Sequence, residues 1–121
     1  MAEHNDFGKI AEEFVARKYL KNGYKILERN WRFHPLELDI IATKENVLVI
    51  VEVKARSYDT FIDPMEAINN RKKKLIIKAT NEYMEINAIE MECRFDIAIV
   101  LMKKDGLASE IIVDAFEPFE L

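Results

Sequence analysis

The sequence predicts an α/β domain: a mixed central sheet flanked by helices, spanning residues 1–121 as a single unit. Two observations carry this expectation. Apolar residues recur with helical spacing in two segments, one at the start of the chain and one past its middle. Between and after them lie short runs that alternate, or are apolar throughout, and are bounded by Gly, Asn and Asp. No internal repeat, low-complexity stretch or composition break marks a second domain.

The first helix is expected to be capped by Asn5 or Asp6 and to run to about Asn22, with Phe7, Ile10, Ala11, Phe14 and Val15 as its apolar stripe. Asn22-Gly23 ends it. Strands follow at Tyr24 to Arg32, Leu36 to Thr43 and Val47 to Ala55, the last two joined by the polar Lys44-Glu45-Asn46, which favours a hairpin. Asp63-Pro64-Met65-Glu66 reads as a short helix start, and Asn69 or Asn70 as the cap of a longer helix reaching about Ile86. Phe95 to Met102 and Glu110 to Phe116 complete the sheet, joined by a turn at Lys104-Asp105-Gly106.

Half of the chain is apolar and a third is charged, as in an ordinary globular domain, and three Gly and three Pro leave little room for disordered linkers. The longest apolar run, Val47 to Val51, is too short to span a bilayer, and the opening residues lack the pattern of a secretory signal. The lone Cys93 suits a buried small hydrophobe in a reducing, cytoplasmic setting. A net charge of −4 weighs against a polyanionic partner, but the charge is uneven. Arg17 to Arg32 holds six bases and one acid, Arg71 to Lys78 five bases and no acid, and Asp105 onward five acids and no base.

Chemistry concentrates in LELDIIATKENVLVIVEVKAR. A strand apolar on both faces belongs at the centre of a sheet, so Glu52 and Lys54 at its end bring charge beside the core and need partners. Strand alternation puts Glu37 with Asp39, and Ile50 with Glu52 and Lys54. Pairing Ala42 with Val47 sets Asp39 opposite Ile50; a shift of two residues sets it opposite Glu52. Converging carboxylates suit a hard divalent ion, with Asp39 and Glu52 as ligands and Lys54 placed for an attacking water or a phosphoryl oxygen. The plain alternative is a solvated strand end where Glu52 and Lys54 neutralise each other.

Asp39 followed by a hairpin and Glu52-Val53-Lys54 resembles the core of the PD-(D/E)XK nucleases, the restriction-endonuclease-like fold. Ala11-Glu12, Gly23 to Leu27, Arg29-Asn30, Glu37 to Ile41, Val51 to Arg56, Lys72, Arg94 to Asp96 and Ala115-Phe116 together resemble the YraN-type family of endonuclease-like proteins, related to archaeal Holliday-junction resolvases. The resemblance implies an αβββαβ core, Mg²⁺ or Mn²⁺ as cofactor, and DNA, branched junctions included, as substrate. It makes Asp39 and Glu52 metal-binding acids and Lys54 the catalytic lysine. Glu12, on the flank of its helix's apolar stripe, matches the helix-borne acid that completes the metal shell. Leu36 stands where the family has Gly, and its bulk would narrow the approach of DNA to Asp39.

Arg56, Arg71, Lys72 and Lys73 are candidates for phosphate contacts, and Glu37 for support of the metal ligands. The Arg71–Lys74 cluster reads equally as a solvated helix face. Arg94 and Asp96 share a strand face and are expected to form an internal ion pair. Trp31, Phe33 and Tyr58 could stack on unpaired bases, with packing as the plainer role. His4 and His34 lack ligand spacing. A nuclease of this size often works as a homodimer, although no segment marks an interface. A module that keeps the fold and binds nucleic acid or protein without turnover is the alternative function.

Overall fold

In a computed structural model the described residues are 2–57 and 67–118, with side chains from Asp6 onward. The elements are α1 (Ala2–Lys21), β1 (Lys25–Phe33), β2 (Leu36–Lys44), β3 (Val47–Ser57), α2 (Asn70–Ile86), β4 (Glu92–Lys103) and β5 (Gly106–Phe116). They form one five-stranded mixed sheet in the order β1-β2-β3-β4-β5, in which only β3 and β4 are parallel. The α2 segment lies in the connection between the parallel strands. This is the expected α/β class, an αβββαβ core with one further strand. The Asp63–Glu66 helix start and Tyr58 lie outside the described residues.

The all-apolar segment at 47–51 occupies the central strand, with Leu48, Val49, Ile50 and Val51 at most 2% exposed. Its two faces feed two cores. Leu48 and Ile50 pack with Ile76, Ala79 and Tyr83 of α2. Val49 and Val51 pack with Ala11, Val15, Ala16 and Tyr19 of α1. The β2–β3 hairpin closes through Glu45 and Asn46, both at positive φ (51° and 64°), as a two-residue turn matched to strand twist requires.

Several boundaries differ from expectation for local reasons. Helix α1 begins at Ala2, so Asn5 and Asp6 lie in its first turns, where acidic groups suit the helix dipole, instead of capping it. Its buried face is Ala11, Val15, Ala16 and Tyr19, while Ile10 is 51% exposed. Two alanines let this helix approach the sheet closely, which a stripe of large side chains would prevent. Strand β4 starts at Glu92 because its parallel ladder with β3 extends through polar residues, from Val47↔Glu92 to Ser57↔Met102. Strand β5 starts at Gly106 because Lys103 pairs with Gly106 across a tight turn. The cap of α2 is Asn69, whose side chain accepts from the Lys72 amide at 2.9 Å. No helix among the described residues is long and apolar enough to cross a membrane.

Candidate functional site

The β2–β3 ladder runs from Lys44↔Val47 to Ile40↔Val51, the register that continues to Asp39 opposite Glu52. Ordered pairing stops there. Alternation along β2 also breaks at this point: Leu36 and Leu38 join the α2-side core, Ile40 the α1-side core, and Ile41 the α2-side core again. Asp39 therefore sits at a fork, and its Oδ2 accepts a hydrogen bond from the Val53 amide at 2.8 Å.

Glu52 is 5% exposed, an unusual burial for a carboxyl group. Its pKa is pushed up to about 8, first by burial and then by Asp39 through charge and hydrogen bonding, with Lys72 and then Lys54 pulling the other way. The Lys72 ammonium, from the first turn of α2, lies 3.3 Å from Glu52 Oε2. Strand β3 sets Lys54 two residues beyond Glu52, beside Ile99 of β4. Asp39, Glu52, Lys54 and Lys72 thus occupy one region.

Glu12 faces the same region from α1. Burial and the Asp39 carboxylate raise its pKa, Arg29 and Asn30 lower it, and Glu37 raises it slightly. Its Oε1 atom is buried without a hydrogen-bond partner, an arrangement that costs free energy unless something fills the vacancy in its bonding. Glu37 is half-buried, with the Arg32 guanidinium 3.7 Å away. Among the described residues no three His, Cys, Asp or Glu side chains converge as a ready-made metal cage. The Asp39–Glu52 pair still has the chemistry of a hard-cation site: two crowded oxygen donors, with water and phosphate available to complete a shell.

The predicted phosphate contacts divide. Arg71 is exposed at the start of α2, whereas Lys73 sits over the Phe116 ring at 5.5 Å. The half-buried Arg56 donates to the Ala55 carbonyl at 2.9 Å. Leu36 is 8% exposed with its side chain in the core, so its bulk does not stand over Asp39 as the sequence reading expected. Trp31 packs edge-on against Tyr83 and stacks on Phe33, which is 44% exposed at the sheet edge.

Two features escaped the sequence reading. Arg29 and Asn30 border Glu12, and Arg29 Nη1 also meets Glu13 Oε1 at 2.6 Å. Their appearance among the family-like motifs was the available signal. Asp96, 1% exposed, pairs with Arg94 as expected (Nε–Oδ1 and Nη2–Oδ2 both 2.9 Å), but it also accepts from Tyr19 Oη at 2.6 Å and the Asp114 amide at 2.9 Å. That network ties α1, β4 and β5 together and gives Asp96 a structural part.

A sequence profile described as "Uncharacterised protein family UPF0102" matches residues 11–100, a span containing Glu12, Asp39, Glu52, Lys54 and Lys72. A UPF0102 protein of Flavobacterium psychrophilum is 47% identical over 119 residues, covering 98% of this chain and 100% of that protein. One from Parabacteroides distasonis is 43% identical over 117 residues (96% of each chain), and one from Bacteroides thetaiotaomicron 43% identical over 118 (98% of each). Matched over most of its length by the profile and nearly end to end by these relatives, the chain belongs to the UPF0102 family, the YraN-type family that its motifs resemble.

Proposed function

We propose that this protein is a divalent-metal-dependent endonuclease that hydrolyses DNA phosphodiesters, branched junctions included. The observation supporting the reading is the meeting of two carboxylates, Asp39 and Glu52, at the fork between β2 and the central strand, one of them 5% exposed. Crowded, desolvated acids destabilise a fold unless a cation balances them. Asp39 and Glu52 would hold Mg²⁺ or Mn²⁺, with Glu12 at the margin of its hydration shell. Such an ion, when bound, neutralises phosphate charge and acidifies a coordinated water.

The remaining roles fall to the chain's own groups. Lys54 would place its ammonium against a phosphoryl oxygen as negative charge grows there. Asp39 is held in one orientation by the Val53 amide, so little ordering remains for catalysis to supply. Arg71, Lys73 and Arg56 would hold flanking phosphates, and Glu37 would orient the acids beside it. A homodimer would let two such sites address two strands.

A second reading is a nucleic-acid-binding module without turnover, favoured by the Lys72 ammonium already standing beside Glu52. One experiment separates them: incubation with Mn²⁺ or Mg²⁺ and either linear duplex or a four-way junction. Metal-dependent strand cleavage that disappears in an Asp39→Asn/Glu52→Gln double variant, which keeps a carbonyl for the Val53 amide, is the expected result. Equal background cleavage by both proteins, with junction binding retained, decides for the module.

A further inference from the structure

The ammonium nearest the acid pair comes from α2, not from the strand that carries the nuclease-like motif. Lys72 Nζ stands 3.3 Å from Glu52 Oε2 and offsets the crowding at Glu52 more than Lys54 does. The two partners differ in freedom. The Glu52 side chain is 6% exposed and fixed on the central strand, whereas the Lys72 side chain is 40% exposed. Its backbone is anchored, since the Lys72 amide donates to the Asn69 cap at 2.9 Å. A lysine so placed can leave by side-chain rotation alone, without any shift of the helix. Outside the pair it enters a cationic setting: Arg71, Lys73 and Lys74 flank it, and the first turn of α2 contains no acid.

A divalent cation at Asp39 and Glu52 would compete with this ammonium, because two positive charges crowded at one buried carboxylate repel each other strongly. We propose that Lys72 is the resident counter-charge of the acid pair, that the divalent ion displaces it, and that the released ammonium passes to a DNA phosphate beside Arg71. The inference rests on the metal-site reading above. It adds a positioning residue through which metal occupancy and DNA binding reinforce each other, and such coupling is reciprocal.

The test is a titration of Mn²⁺ into the full metal-free chain, followed by electron paramagnetic resonance. Lys72→Met should bind Mn²⁺ on the order of tenfold tighter than wild type, because the ion no longer breaks a charge-assisted contact first. Arg71→Met, an equal charge change at the adjacent exposed position, should stay within about twofold, since a more distant solvent-exposed charge is screened. Mn²⁺ affinity unchanged or weakened in Lys72→Met overturns the exchange while leaving the metal site standing. No Mn²⁺ binding by any of the proteins removes both proposals. In a second arm, Ca²⁺ should tighten wild-type binding to a duplex oligonucleotide by a larger factor than it tightens Lys72→Met. Equal factors overturn the hand-over to phosphate. Unchanged circular dichroism of each variant keeps these comparisons between folded chains.

Discussion

A carboxyl group buried beside another carboxylate holds its proton more tightly in the folded chain than in the unfolded one. For Glu52 the folded pKa is about 8 against an ordinary 4.5, so its contribution to stability is fully present below pH 4.5 and is lost as pH rises through 8. The metal-free protein should therefore melt at progressively lower temperature between pH 5 and 8.5. Glu52→Gln should flatten that slope, and Mg²⁺ should restore more stability at pH 8 than at pH 6. Calorimetry across this range checks it; a pH profile identical in wild type and Glu52→Gln sinks it. The Asp39–Glu52 encounter was legible in the sequence as one of two hairpin registers, whereas the break in alternation beside Asp39 was not, since parity assumes an unbroken strand. The part played by Lys72 was not, since a contact between α2 and β3 depends on how the helix lies over the sheet. Helical periodicity likewise put both Ile10 and Ala11 on the apolar stripe of α1, and packing buries Ala11 while leaving Ile10 51% exposed.

At the scale of elements, the β2–β3 hairpin sets the register that brings the acids together. Its turn places Glu45 and Asn46 at positive φ, a region that side chains other than Asn, Asp and Gly enter at a cost. Replacing Glu45-Asn46 by Asn-Gly should stabilise the protein by about 1 kcal/mol, seen as a higher urea midpoint at unchanged slope. A lower midpoint would show that strain at this turn is not what limits the hairpin. The sequence located this connection within a residue because turn chemistry is short-range. It placed the starts of β4 and β5 three and four residues late, at Phe95 and Glu110 instead of Glu92 and Gly106. Apolar runs set the expected strand bounds, and the polar start of β4 holds because Arg94 donates to Asp96 and to the Tyr24 hydroxyl.

The whole molecule is acidic, yet the start of α2 is basic and its first turn contains no acid. If that cluster grips the phosphate backbone, the Arg71→Gln/Lys73→Gln variant should bind junction DNA more weakly and lower the salt slope of log K by about 2. Fluorescence anisotropy between low and physiological salt measures this. A slope equal to that of wild type assigns the cluster to solvent. Chain-wide, fold class was legible because a five-residue apolar run beside a hairpin turn fits a central strand, and the order of elements then leaves few topologies. The site was legible as far as its strands carry it. The resemblance already named Glu12 of α1 and Lys72 of α2, but the buried Oε1 of the one and the ion pair of the other depend on how the helices dock on the sheet.

The bond from the Val53 amide to Asp39 Oδ2 has a further meaning. Where two strands part, one carboxylate oxygen acts as a surrogate main-chain carbonyl and stitches the seam one rung further. Half of Asp39 is thereby committed to architecture, and its other oxygen is aimed before any ligand arrives. Replacing this residue to abolish chemistry would also unpick the seam, so an Asn there, which keeps a carbonyl for the amide, is the cleaner way to remove the charge alone.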